Sequence, residues 1–485
     1  MLIEVINYPY NGASPEGTNN LNQHVPELIR LAAHEVGFRN DGKPRQYGIV
    51  NNIHDWLVVH PQRMPPDYSG ISIEGVRNYY ENIHALQALV CKTADAQWDR
   101  GSRTIALGGD HSQGFATIKA TLLVKVAKAL LDGSIPISSE KEENVRGIVR
   151  TYANKGEWER LADYINNLAV DRMIDSKDVK KVTDRVAVIW LDAHGDFNSS
   201  TTSESHNFHG MSLAAACGEF AGHLQAIGGR DIHLNPKNAW VVGARDLDTK
   251  ERELMSRKGV HFEEYTMDGV EGEHISTERT RQSGKGRRLS EIINDILDKN
   301  PDKEFIVSVD MDHINGDEVP AVSTPMGLSR STVMERSLEA IQSGDAEHFI
   351  RHNEKGVSPH GVDFDQSWEA LWGIIHHPKV IAADVTEGAV DIINNPKTSN
   401  GQPTLIRTAE LLMCMVQKGP YVRPGALNTP RSKEEYDFLA EMYQMGTALW
   451  EQAQDLVRNK PGSNHQRILP QTPHHPIRER HRLVL

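Results

Sequence analysis

Short β-branched runs recur along this chain, each closing on a glycine-rich or acidic cluster: Thr104 to Leu107, Val186 to Leu191, Ala239 to Val242, Phe305 to Val309 and Val380 to Val385. Runs of this length, apolar on both faces, are the mark of buried parallel strands. Stretches with helical spacing lie between them, among them Tyr79 to Val90 and Leu289 to Leu297. The alternation predicts strand–helix–strand units and a sheet covered by helices on both sides. Ligands of such sheets bind beyond the carboxyl ends of the strands, so the residues after each run are where chemistry is expected.

Composition narrows the classes of partner. A net charge of −13 over 485 residues argues against a nucleic-acid or anionic-membrane surface, which leaves small molecules or other subunits. Cys91, Cys217 and Cys414 are far apart and lack CxxC spacing, which fits a reducing compartment and offers no thiolate metal site. The N-terminus has no basic region ahead of an apolar stretch, and no run reaches membrane-spanning length. A cytoplasmic protein is expected.

Three of the runs end in residues that carry chemistry. Gly108-Gly109-Asp110-His111-Ser112 follows the first, where two glycines allow a tight turn that brings His111 to the strand mouth. The second ends in Asp192-Ala193-His194-Gly195-Asp196-Phe197-Asn198, and if strand geometry persisted its Asp192, His194 and Asp196 would all point one way. Ser308-Val309-Asp310-Met311-Asp312 puts two more carboxylates on one face by the same reasoning. Any one of these could be a polar strand end with capping duties. Together they bring four carboxylates and two imidazoles to one sheet edge, where like charges repel unless cations neutralise them. Two divalent ions supply the required charge, and oxygen-rich ligation with some imidazole favours manganese over zinc or copper, with cobalt, nickel and iron left open by affinity order alone. Ions that close can share one water and lower its pKa, so the expected reaction is hydrolysis.

In this order the motifs GGDHS, DAHGDFN and SVDMD resemble those of the ureohydrolase superfamily of arginases, agmatinases and their relatives. The resemblance implies a three-layer α/β/α fold with a central parallel sheet and two manganese ions per subunit. One ion would be held by His111, Asp192, Asp196 and Asp310, the other by Asp192, His194, Asp310 and Asp312, with Asp192 and Asp310 bridging. It also implies a homo-oligomer, a trimer or hexamer.

The same resemblance extends to the substrate. His209, in Asn207-Phe208-His209-Gly210, resembles the arginase histidine that moves protons near the metals, while Asn198, Ser203 and Ser205 match positions that hold the substrate α-carboxylate. Asp248 matches the aspartate that reads the α-amino group, Glu251 follows it at the same end of the pocket, and Glu387 resembles the glutamate that pairs with the guanidinium. With Asp196 and Glu387 beside His209 as catalytic residues, the expected reaction is cleavage of L-arginine to L-ornithine and urea. Agmatine, a guanidino acid, guanidine or formiminoglutamate are alternatives that could use the same centre, and a non-catalytic regulatory homologue is the alternative from another class. A single-zinc deacetylase of related architecture fits the six ligands poorly. Two departures stand out: Asn315 replaces the last aspartate of the family's DxDxxDP continuation, and the short run after Glu387 is expanded as far as Pro396.

The catalytic domain is expected over residues 1–418, with insertions at about 123–184 and 328–378. In the first, Trp158, Leu161, Tyr164, Ile165 and Leu168 keep helical spacing, which predicts a small helical subdomain; the second is rich in His, Gly and Ser. Residues 419–485 form a C-terminal extension, with a helix from Ser432 to about Asn459 ahead of a Pro-, Arg- and His-rich tail.

Overall fold

The computed structural model describes residues 3–8, 72–73, 76–77, 79–99, 103–138, 141–263, 288–316, 318–319, 362–388, 407–408, 410–412, 414–416 and 421. The helix expected over 432–459, the tail, and the greater part of the insertion expected over 328–378 lie outside them.

Seven parallel strands make one sheet: β1 (Ile3–Tyr8), β4 (Arg103–Gly108), β9 (Val380–Thr386), β8 (Glu304–Asp310), β5 (Val186–Leu191), β6 (Ala239–Val242) and β7 (His261–Glu263), in that spatial order. A separate antiparallel pair joins β2 (Ser72–Ile73) to β3 (Val76–Arg77). All five strands expected from the β-branched runs are present. The two that the sequence did not announce stand at the edges. β1 is interrupted by Glu4 and Asn7 and β7 has only three residues, so neither carries the run of apolar side chains that a strand buried on both faces must have.

Helices close both faces, giving three layers. On one face Tyr79–Asp99 and Ser112–Asp132 pack against the sheet, joined in the same core by Glu142–Asn154, Trp158–Val170 and Ser176–Thr183. Trp158, Leu161, Ile165 and Leu168 of the expected insertion are buried in that shared core, where their helix packs against Tyr79–Asp99 and Glu142–Asn154. Leu289–Lys299 and Phe364–Leu371 cover the other face around Trp368. Within the first layer Lys119 is buried, and its Nζ donates to the carbonyls of Gly229 at 3.0 Å and Ile232 at 2.6 Å. Burial lowers its pKa to about 7. No helix among the described residues is long and apolar enough to cross a membrane.

Candidate metal centre

Five adjacent strands, in the order β4, β9, β8, β5 and β6, deliver the functional residues from their carboxyl ends. After β4 the chain turns at once into the helix Ser112–Asp132, for which His111 is the N-cap. A Cβ added to Gly108 would stand 2.8 Å from Gln113 Cβ and 3.0 Å from Thr386 Cγ2, so the turn needs the missing side chain for close packing.

Strand geometry does not carry the ligands beyond β5, which corrects the expectation of a two-residue period. The Asp192 N–H donates to the Val242 carbonyl, and the Ala193 carbonyl accepts the N–H groups of Arg245 and Asp246, drawing the segment towards β6. Asp196 then takes the left-handed conformation, φ 47°, with its carbonyl accepting from Leu213 and Ala214. The same holds after β8, where Asp312 lies in the 3-10 turn Met311–His313 and its N–H donates to Asp310 Oδ1 at 2.7 Å.

The six side chains converge nonetheless. His111 Nδ1 lies 2.9 Å from Asp192 Oδ2, 2.9 Å from Asp196 Oδ2 and 3.2 Å from Asp310 Oδ2. His194 Nδ1 lies 3.0 Å from Asp312 Oδ2 and 3.4 Å from Asp192 Oδ1. Candidate ligand atoms of His111, Asp192 and Asp196 fall within 4.8 Å of one another, as do those of Asp192, His194 and Asp312, so Asp192 is common to two groups. An imidazole nitrogen offers one proton or one lone pair and cannot satisfy three carboxylate oxygens. A cation among them satisfies every donor, and a nitrogen–oxygen set without sulfur suits a divalent metal of the manganese kind.

Electrostatics point the same way. Burial opposes charge on His111 and His194, yet the surrounding aspartates hold both imidazoles well above their usual range. Burial, and after it Asp192, pushes Asp196 up to about 7; burial, with Asp312 and Asp192, also holds Asp310 well above the usual carboxylate range. The cluster favours added positive charge, whether carried by protons or by metal ions.

Beside it stands a second pair. Glu387, just past β9, has φ 60°, and its N–H donates to the Gly109 carbonyl at 2.7 Å. Its Oε1 accepts the His111 N–H at 3.1 Å and lies 3.0 Å from His209 Nδ1. Burial disfavours the His209 cation, but Glu387, then Asp196 and Asp110, outweigh it and hold His209 at about 9.

Beneath the ligands lies a layer of support. The Trp190 ring stacks on His111 with centroids 3.9 Å apart, and its Nε1–H donates to Asp192 Oδ2 at 2.9 Å. Ser308 Oγ sits 3.0 Å from His111 Nε2 and donates to Asp384 Oδ1 at 2.5 Å. A Cβ on Gly114 would come 2.4 Å from the Trp190 ring and 2.8 Å from Ser308 Oγ, so only glycine lets the helix lie this close. Arg245 donates to the carbonyls of Asp312 at 2.7 Å, His313 at 3.0 Å and Ile314 at 3.2 Å, pinning the turn after β8 to the end of β6.

Residues 175–346 match the sequence model of the arginase family. A curated arginase of Brevibacillus brevis is 37% identical over 148 residues, 30% of this chain and 45% of that protein. One from Bacillus caldovelox is 29% identical over 188 residues, 39% of this chain and 57% of that protein. The chain thus spans about half the length of the curated relatives it matches. In the crystal structure of an arginase from Bacillus cereus the fold recurs with a TM-score of 0.51 at 18% identity, covering 86% of this chain and 99% of that one. Over residues 175–346 the chain is thus similar to the arginase family, and its fold is the one seen in that crystal structure.

Of the remaining residues expected at the site, Asn198 and Asp248 meet: Asn198 Nδ2 donates to Asp248 Oδ2 at 3.1 Å. A carboxylate only accepts, so this contact fixes the amide and leaves Asn198 Oδ1 as a buried acceptor without a partner among the described residues. Ser203 Oγ accepts the His206 N–H at 3.0 Å and Ser205 Oγ the Asn207 N–H at 3.3 Å, which anchors both oxygens and directs each O–H away from the main chain. Glu251 departs from expectation. It is 3% exposed and its Oε1 accepts the Phe197 N–H at 2.8 Å, so it lies under the ligand loop and not at the mouth of the pocket. Burial raises its carboxyl to about 8. Asn315, where the family pattern has aspartate, donates through Nδ2 to Asp363 Oδ1 at 2.8 Å and braces the turn from outside the cluster.

Trp190, Ser308, Asp384 and Arg245 had no role assigned from sequence. A signal existed for two of them. Ser308 and Asp384 interrupt otherwise apolar strands, and a polar group buried there requires a partner.

Proposed function

We propose that the protein is a binuclear manganese hydrolase that cleaves the guanidinium group of L-arginine to give L-ornithine and urea. The observation that carries this reading is the convergence of three carboxylate oxygens on one imidazole nitrogen, with Asp192 shared between two such groups. His111, Asp192, Asp196 and Asp310 would hold one ion, and Asp192, His194, Asp310 and Asp312 the other. When bound, the pair acidifies a water so that it is available as a nucleophile at neutral pH.

The chain's own residues do the rest. Asp248 and Asn198 Oδ1 form an acceptor pair suited to an α-ammonium, while the O–H groups of Ser203 and Ser205 suit a carboxylate. This sharpens the role expected for Asn198, whose donor is already committed to Asp248. Glu387, with lone pairs beyond the Oε1 contacts to His111 and His209, takes the guanidinium through charge-assisted hydrogen bonds. Oxygen adds at the guanidinium carbon, the bond from that carbon to the side-chain nitrogen breaks, and this nitrogen needs a proton. His209, held protonated at neutral pH by Glu387, supplies it. Because 18% of the His209 side chain is exposed while Glu387 is buried, the proton is replaced from solvent at the histidine.

The test is a panel of L-arginine, agmatine, guanidino acids, guanidine and formiminoglutamate given to manganese-loaded protein, with urea or formamide and bound metal measured. Urea and ornithine from arginine are expected. Rapid turnover of agmatine without urea from arginine would overturn the substrate. Fewer than two metal ions per chain and no hydrolysis of any of these compounds would overturn the reading as a whole.

A further inference from the structure

His111 is held on three sides by groups that are not metal ligands. Trp190 covers one ring face, Glu387 Oε1 takes its backbone N–H, and Ser308 Oγ faces Nε2. The last contact has a direction. Asp384, as a carboxylate, can only accept, so the Ser308 hydroxyl spends its proton on Asp384 Oδ1 and presents a lone pair to His111. A neutral His111 ring must then carry its proton on Nε2, leaving the Nδ1 lone pair turned towards Asp192, Asp196 and Asp310. All the residues of this chain of contacts are buried: His111 is 1% exposed, and Ser308 and Asp384 are 0% exposed, so no bulk water can substitute for either partner.

We propose that Ser308 and Asp384 are positioning residues that fix His111 in its Nε2–H tautomer and so aim the Nδ1 lone pair at the first metal position. The inference rests on the binuclear reading above and adds two residues to it. Without the relay, the neutral ring is free to place its proton on Nδ1, where it would satisfy one aspartate and exclude the ion. Partners of this kind beneath a ligating histidine change metal affinity by about 10- to 100-fold when removed. Because only orientation and tautomer are at stake, the effect falls on the ion at His111 and spares the ion at His194.

Equilibrium titration with manganese(II) alone, followed by electron paramagnetic resonance, reads both positions without reference to substrate. Ser308→Ala is expected to weaken the tighter-held His111 position by about 10- to 100-fold and to leave the other within about threefold. Asp384→Asn keeps an oxygen that can accept from Ser308 and should restore most of the wild-type affinity. Histidine nitrogen NMR of the zinc-loaded wild-type protein, with His111 assigned by its loss in His111→Ala, should show the proton on Nε2, and this holds even where a variant folds poorly. A proton on Nδ1, or unchanged manganese affinity in Ser308→Ala, would overturn the positioning role and leave the binuclear reading standing. Wild-type protein that binds fewer than two manganese ions would overturn both.

Discussion

The two histidines of the centre stand in different surroundings. His111 is sealed beneath a tryptophan ring and backed by the Ser308–Asp384 relay, whereas the His194 side chain is 25% exposed and its outer nitrogen faces Asp246 at 3.8 Å, itself 59% exposed. One histidine is therefore enclosed by protein groups and the other reaches solvent, although the aspartates beside both are buried. Removing a buried ligand leaves neighbouring carboxylates unpaired in a dry place, while water can stand in for an exposed one. Two histidines in like positions need not retain metal equally.

The largest expected effect breaks the sealed half. His111→Ala or Asp196→Ala should reduce activity by more than about 100-fold, beyond what loss of a supporting group does, and gel-filtered protein should retain at most one manganese ion. His194→Ala should retain more of its metal and recover activity at higher manganese concentration. Equal metal loss from both histidine variants would erase the distinction. His209→Ala comes next: it is no ligand, so metal content should stay while kcat falls by about 10²- to 10⁴-fold, read in steady-state assays with metal analysis on the same sample. A matching loss of metal would move His209 into the coordination sphere.

Smaller effects lie at the rim and in the outer layer. Asp248→Ala should raise KM for arginine by about 10-fold, the lower end for a charge-assisted contact because Asp248 is exposed, with kcat little changed. An unaltered KM would remove Asp248 from the pocket. The smallest expectation concerns Lys119, whose pKa is about 7 when folded against 10.5 for the free side chain. Between those values the unfolded chain holds a proton that the folded one has released, so stability rises with pH across this window. Thermal melts from pH 7 to 9 should show wild-type protein gaining on Lys119→Met as the pH rises. Parallel curves would mean that Lys119 keeps its proton in the fold.

The sheet was legible because buried parallel strands leave runs of apolar residues, and the candidate metal cluster because its residues sit in short motifs directly after those runs. Asp192, His194 and Asp196 were found for a reason that the structure replaces: they converge through a loop tied to β6, and not through strand periodicity. Glu251 was misplaced because sequence proximity to Asp248 says nothing of which way a helix turns its first residues, and here that turn buries it against Phe197. Trp190 was invisible because an indole in an apolar run is indistinguishable from core until its ring is seen over His111.

The left-handed backbone at Asp196 and Glu387 has a consequence of its own. Both are places where glycine would rest without strain, and an ordinary side chain there costs about 1–2 kcal/mol. Each also adds a buried negative charge to a crowded neighbourhood. Asp196→Gly should therefore melt at higher temperature than the parent in metal-free form while losing turnover, whereas Glu387→Gly also strips the His209 cation and the His111 N–H of their partner and should melt lower. The proposed reaction gives both residues a use that offsets this strain.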